Sequence, residues 1–308
     1  MLNLVKKHWM LLGIAVVCYW GYRYPAAAEA AGGYLSLLVG TIMFLMGLGI
    51  GFHSLSLRIS AWLQNAVTVI LCYLVAPLLA FGTAVLFFQH QLNVYTGLIL
   101  IGTTSTTLST CIVFTRLAGG DEALALWLSV TSSFLCSFLS PLLLELFLGE
   151  TVVVPVGIMI KRLLFVLLFP LSAGMLLRAA LGEKRIAPLG NLLTRGCGLI
   201  ILTVIMVAVA KGRNLIVGWS SLPILGAAAA LHLALLGIAS LASRQLGFSR
   251  PESIAIFFCA SQKTLQIPTY IAIEILKTPE AALAPVIFHI FQLLVDSLFV
   301  SYFSSRSA

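Results

Sequence analysis

The sequence predicts an all-α integral membrane protein of ten transmembrane helices in two inverted five-helix repeats. Three observations lead there. The chain has 308 residues, 60% of them hydrophobic and only 9% charged, against about 25% charged in soluble domains. Apolar stretches of membrane-spanning length recur from end to end, parted by short connections that hold the glycines, prolines and charges. Two of those stretches, the fourth and the ninth, carry polar interruptions at corresponding places, the pattern of a transporter built from repeats.

The spans are read at 8–24, 34–52, 62–88, 94–117, 121–148, 156–181, 190–210, 219–246, 252–276 and 279–304. The first begins after Lys6 and Lys7, and the run ends in Trp20, Tyr22 and Arg23 with no small-residue cleavage site, so a retained helix is expected. Orientation follows from the basic residues. With the N-terminus cytoplasmic, the inner side holds Lys6, Lys7, Arg58, Arg116, Arg178, Lys184, Arg185, Arg195, Arg244, Arg250 and Arg306. The outer side holds Arg23, Lys161, Arg162, Lys211, Arg213 and Lys277. Eleven against six predicts both termini in the cytoplasm of a cell whose plasma (inner) membrane the chain spans. The net charge of +8 is thus an orientation signal, and no nucleic-acid partner is expected. Six cysteines all lie in apolar stretches without metal-ligand spacing, so neither a disulfide framework nor a metal site is expected.

A division at 150 puts five spans in 1–150 and five in 151–308, with opposite topology because five is odd. The ends of the fourth and ninth spans support it. Leu117-Ala118-Gly119-Gly120-Asp121-Glu122-Ala123-Leu124-Ala125 echoes Leu276-Lys277-Thr278-Pro279-Glu280-Ala281-Ala282-Leu283-Ala284. About a dozen residues earlier stand Thr103-Thr104-Ser105-Thr106-Thr107 in one and Ser261 to Gln266 in the other. Both helices are expected to break there and to lie against each other, because lipid cannot satisfy the polar groups. Lys263 would sit roughly 16 Å from either end of a helix, too deep to snorkel, where a charge costs about 2.5–3.5 kcal/mol unless paired or hydrated. Pro268 cannot donate to Thr264, which frees a carbonyl at the same depth.

Three motifs then carry a family resemblance: Phe258-Cys259-Ala260-Ser261-Gln262-Lys263-Thr264-Leu265 followed by Ile267-Pro268; Thr115-Arg116-Leu117-Ala118-Gly119-Gly120-Asp121-Glu122-Ala123-Leu124-Ala125; and His289-Ile290-Phe291-Gln292-Leu293. With them the chain, over about residues 34–304, resembles the bile acid:sodium symporter family, and especially its sodium/bile acid cotransporter 7-like branch. The resemblance implies a core domain of helices 3–5 and 8–10, a panel domain of helices 1, 2, 6 and 7, and fourth and ninth helices that unwind and cross. It also implies alternating access and organic-anion substrates. Sodium-coupled members hold sodium behind the crossing, and there this sequence departs. The ninth-helix acid falls on an apolar residue near Phe258 and the following Asn on Lys263. The fourth-helix polar pair falls near Cys111-Ile112, and the third-helix ligand near Cys72. Only Ser129 and Ser133 keep plausible oxygens. Sodium favours hard oxygen ligands, so the coupling ion, sodium or a proton, is open.

The expected substrate-contacting residues are Thr104, Ser105, Thr107, Gln262, Lys263, Thr264, Gln266, His289 and Gln292. The cation-site region is Ser129, Ser133, Lys263 and Asp296, with Asp296 the expected ion-pair partner of Lys263 and Glu274 the runner-up. Each has a plainer reading. Ser and Thr also mediate helix packing, and the stripe His289, Gln292, Asp296 is the kind that packs helices together. His232, alone on an apolar span, is more simply a hydrogen bond to a neighbouring helix than a proton relay. Glu145 and Glu150 are read as interfacial, and Arg116, Asp121 and Glu122 as charges at helix ends. The function expected is a secondary transporter moving a small organic anion through the lipid bilayer, without a cofactor. A non-transporting sensor on the same fold is the alternative. An intramembrane enzyme is a weaker one, because no acid pair or Ser/His/Asp set recurs and no catalytic residue is named.

Overall fold

A computed structural model describes residues 2–51, 60–215 and 221–305. Position 52 of the expected second span, 219–220 of the eighth, and Arg58 and Arg306 lie outside the described residues. Among the described residues the fold is helical, with no strand. In order the helices are α1 (Leu2–Arg23), α2 (Pro25–Gly32), α3 (Leu35–Gly49) and α4 (Trp62–Phe88). Next come α5 (Leu92–Thr103), α6 (Thr110–Leu117), α7 (Glu122–Leu148) and α8 (Val156–Leu181). Then follow α9 (Gly190–Lys211), α10 (Ser221–Gln245), α11 (Arg250–Ser261), α12 (Gln266–Tyr270) and α13 (Pro279–Ser305). Six of these, α4, α7, α8, α9, α10 and α13, are long and apolar enough to cross a membrane. Helices α3 and α5 are shorter and apolar.

Packing sorts the helices into two groups. In one, α3 lies along α8 and α9, while α1 lies along α9. Two glycines let α3 and α8 approach closely: a Cβ on Gly47 would stand 2.2 Å from the carbonyl oxygen of Leu171, and one on Gly174 would stand 2.2 Å from that of Phe44. Only residues without a side chain let the two backbones meet this closely, and such contacts hold helices together where lipid removes the hydrophobic drive. In the other group, α10 packs on α11 and α13, α5 on α4 and α13, and both α6 and α7 on α11.

Helix ends are set by local chemistry. The carboxylate of Asp121 accepts from the amide of Leu124 at 2.9 Å and caps α7, and its own amide donates to Pro251 at the start of α11 at 3.0 Å. Ser249 and Glu252 form a capping box on α11, with the Ser249 amide 3.0 Å from Oε2. Single π turns interrupt α4 at Leu71–Val75 and α8 at Leu164–Leu168, and extend α12 at Ile271–Ile275. Such turns misalign backbone carbonyls and recur at functional sites.

A cavity of about 550 Å³ lies between the two groups, lined by the end of α3, residues 108–113, the start of α7 and the start of α9. A second, of about 1020 Å³, lies toward Lys161 and Arg162, between α3, α8 and the segment holding Tyr270 and Glu274.

Candidate functional site

The stretches expected at 94–117 and 252–276 are each two helices. Residues 104–109 separate α5 from α6, and 262–265 separate α11 from α12. Thr104 is extended (φ −97°, ψ 165°), as is Gln262 (φ −71°, ψ 135°). The two breaks abut: the amide of Thr264 donates to the carbonyl of Ser105 at 3.0 Å. Pro268 removes one helical bond beyond the second break. In the first, a run of β-branched and hydroxyl residues competes with the helical ladder. Gly102 lets α5 close on α4, since a Cβ there would stand 2.9 Å from the carbonyl oxygen of Ala76. A serine row on α7 props the first break. Ser132 Oγ accepts from the Thr106 amide at 3.3 Å, and Ser140 Oγ donates to the carbonyl of Thr103.

Lys263 is 1% exposed, and among the described residues its ammonium is held by backbone alone. Nζ donates to the carbonyls of Cys72 (3.0 Å), Thr104 (3.1 Å) and Gly102 (3.5 Å). Cys72 lies in the π turn of α4, and Gly102 and Thr104 at the open C-terminal end of α5, where the helix dipole is negative. The expected ion pair of Lys263 with Asp296 is therefore corrected, and so is the runner-up. Glu274 stands at the protein edge 3.8 Å from Lys277. The reason is geometric. The break turns the Lys263 side chain toward α4 and α5, where freed carbonyls satisfy it, while Asp296 is already engaged on the far side.

That engagement is a second polar cluster. Asp296 Oδ1 is 2.9 Å from His232 Nε2 on α10, and Oδ2 accepts from Gln262 Nε2 at 2.8 Å. Gln262 Oε1 accepts from Thr107 (2.7 Å) and Thr110 (2.8 Å), tying the second break to the start of α6. Gln292 clamps the backbone of Lys263, accepting from its amide at 2.9 Å and donating to its carbonyl at 3.0 Å. The same Nε2 faces His289 Nδ1 at 2.9 Å, which makes Nδ1 an acceptor and places the imidazole proton on Nε2.

The structure thus gathers Thr104, Ser105, Thr107, Gln262, Lys263, Thr264, His289 and Gln292 around the two breaks, and Gln266 opens α12 beside them. All nine are buried, and none lines either of the two cavities described. The nearer cavity begins at Leu108 and Ser109, next along the chain. The hydroxyls of Ser105 and Thr264 are buried with no protein partner among the described residues. Of the cation-site set, Ser129 Oγ lies 3.0 Å from Cys111 Sγ and 3.7 Å from Cys259 Sγ. Ser133 is buried one turn further along α7. Thiols thus border the Ser129 oxygen. Sequence reasoning missed Thr110, Ser132 and Ser140. The helical spacing of Ser129, Ser132, Ser133, Ser137 and Ser140 was the available signal for the last two. The structure gives His232 the inter-helix bond that the plainer reading expected.

An all-helical membrane protein with two abutting broken helices and charged side chains buried at the junction has the character of a transporter. The chain belongs to the SBF-like CPA transporter family, whose model matches residues 8–305, and the resemblance read from the motifs is borne out. It is 28% identical over 283 residues to sodium/bile acid cotransporter 7-B of Xenopus laevis, covering 87% of this chain and 82% of that protein. It is 28% identical over 279 residues to the uncharacterized protein PA2026 of Pseudomonas aeruginosa, covering 87% and 83%. Over 166 residues it is 30% identical to the uncharacterized sodium-dependent transporter YocS of Bacillus subtilis, covering 54% and 51%.

Proposed function

We propose that the protein is a secondary transporter that moves a small organic anion by alternating access, with Lys263 supplying the positive charge that a sodium ion supplies in sodium-dependent relatives. One observation carries this: an ammonium group held, among the described residues, only by backbone carbonyls, at the junction of two broken helices. Carbonyls freed at half-helix ends are the groups with which transporters hold coupling cations, and a fixed ammonium meets the same need. A second cation beside it would meet like-charge repulsion, about 4 kcal/mol at 4 Å and an effective dielectric of 20.

In this reading ten transmembrane helices form two inverted repeats, 1–150 and 151–308. The expected first, second, sixth and seventh spans form the panel, built on α1, α3, α8 and α9. The remaining helices form the core, which moves against it. Both termini face the cytoplasm. The cavity between α3, α9, α7 and residues 108–113 is then the inward-facing path to the breaks. The hydroxyls of Ser105, Thr107 and Thr264, with Gln266, would meet the anion as the core moves. The names of relatives support transport and give no support to an enzyme. The fixed ammonium also favours a second reading, a sensor that binds the anion without flux.

The test is anion binding by purified protein, read as a thermal shift across a panel of small carboxylates and sulfonates in sodium and in choline buffer. The native protein is expected to bind equally in both, and Lys263→Asn to lose the shift. A saturable sodium requirement in the native protein would overturn the assignment of Lys263. Binding without uptake into liposomes would select the sensor.

A further inference from the structure

Apart from thiols and phenols, the buried ionisable side chains at the breaks among the described residues are Lys263, Asp296, His232 and His289, and the role of Lys263 leaves the other three unexplained. His232 is fully buried, and both ring nitrogens face oxygens that accept. Nε2 is 2.9 Å from Asp296 Oδ1, and Nδ1 is 3.4 Å from the carbonyl oxygen of Ser261. A neutral imidazole carries one N–H. Beside an ionised Asp296 it can satisfy only one of these oxygens and turns a lone pair on the other. One added proton removes the conflict, whether it makes an imidazolium or sits on Asp296 and donates to Nε2. The Asp296 Oδ2 bond from Gln262 is kept in either form. Phe288 and Phe291 stand edge-on to the imidazole, with ring centroids at 5.5 and 6.1 Å.

We infer that His232 and Asp296 form a proton-binding site, and that its proton is the ion coupled to the anion. The coupling rests on the transport reading above; the site rests on its own geometry. The balance is simple. A proton taken from water turns neutral His232 and ionised Asp296 into a pair of zero net charge, and its return to water restores the single negative charge. With Lys263 ammonium fixed, the protonated core carries one positive charge, which the bound anion neutralises. The empty, deprotonated core is neutral without it. Both forms that must cross are therefore free of net charge in a medium where a bare charge is costly.

Neighbouring groups do not replace the pair. Lys263 Nζ points to the carbonyls of Cys72, Gly102 and Thr104. His289 receives the Gln292 amide on Nδ1. The Cys259 thiol faces Ser129 and the carbonyl of Ala125, and the Cys72 thiol the carbonyl of Cys259. Gln262 connects the pair to the cavity, because its carbonyl holds Thr107 and half-buried Thr110 beside Ser109 on the cavity wall. A change in the charge of Asp296 is thereby passed to the first turn of α6.

The test uses the full chain in liposomes, with isotope-labelled histidine for nuclear magnetic resonance and infrared difference spectra for carboxyl protonation. Over a series of buffers from acid to alkaline, the pair is expected to exchange one proton with water in a single step. That step should be absent in Asp296→Asn and in His232→Gln, each first confirmed folded by a cooperative melting transition. A pair that holds one protonation state across this range would overturn the inference. Coupling is read with taurocholate, whose sulfonate stays ionised and carries no proton of its own. One proton per anion sets accumulation at about tenfold per pH unit of inward gradient, lost in both variants. Uptake indifferent to the gradient would overturn the coupling. Absence of taurocholate uptake in every gradient, with the titration intact, would count against the organic-anion reading and leave the proton site standing.

Discussion

Two buried charges at the breaks are stabilised in different ways, and the difference decides how each responds to mutation. Lys263 is compensated by backbone, so no side-chain deletion elsewhere uncovers it. Removing the lysine relieves about 2.5–3.5 kcal/mol of burial cost but leaves three carbonyls without a donor, at about 1–3 kcal/mol each. The second effect is the larger, so Lys263→Met should lower stability by a few kcal/mol despite removing a buried charge. Thermal unfolding in detergent measures this, and a variant as stable as the native protein would show that the carbonyl cage contributes nothing. Asp296 depends on two side chains. The sequence singled out Lys263, Gln262, Gln292 and Asp296 but paired Lys263 with Asp296, whereas the structure bonds Asp296 to His232 and Gln262. Opposite charges at similar depth invite that pairing, and only the direction in which a broken helix aims its side chain resolves it.

At the scale of elements, the breaks were legible because proline, a buried lysine and a threonine run each oppose a continuous helix in lipid. The π turns were not, since Leu71–Val75 reads as unbroken apolar helix. Yet that turn supplies the Cys72 carbonyl to Lys263. The contact of α3 with α8 was equally hidden, because single glycines in apolar helices carry no sign of what they face. Its consequence is testable. Gly174→Ala would drive a methyl group into the carbonyl of Phe44, and overpacking costs about 1–3 kcal/mol or more where backbone must move. A fall in melting temperature of several degrees is expected, with Gly157→Ala, whose Cβ would meet nothing within 4 Å, unchanged. Equal melting of the two variants would remove the glycine contact as a determinant of packing.

For the whole molecule, the two helix groups meet across the cavity bounded by Ser109, Leu126, Thr194 and Cys197. If the anion passes here, filling the space should stop transport without harming the fold. Thr194→Trp is expected to abolish anion binding and uptake while leaving the melting temperature within a few degrees. Retained uptake would place the path elsewhere, and the larger cavity between α3 and α8 would be the next to block.

What the sequence determined by itself is what depends on local composition and depth. The membrane class follows from the scarcity of charge. The breaks follow from residues that cannot be satisfied in a continuous helix, and the family from motifs surrounding them. What only the tertiary structure decided is which partner satisfies each buried polar group. Carbonyls released by a π turn and a helix end are invisible in a string of side chains, although they hold Lys263. The bonds of His232 reach α13 through Asp296 and α11 through the carbonyl of Ser261. Such pairings depend on the rotation of each helix about its own axis, and that rotation is fixed by contacts between residues far apart in the chain.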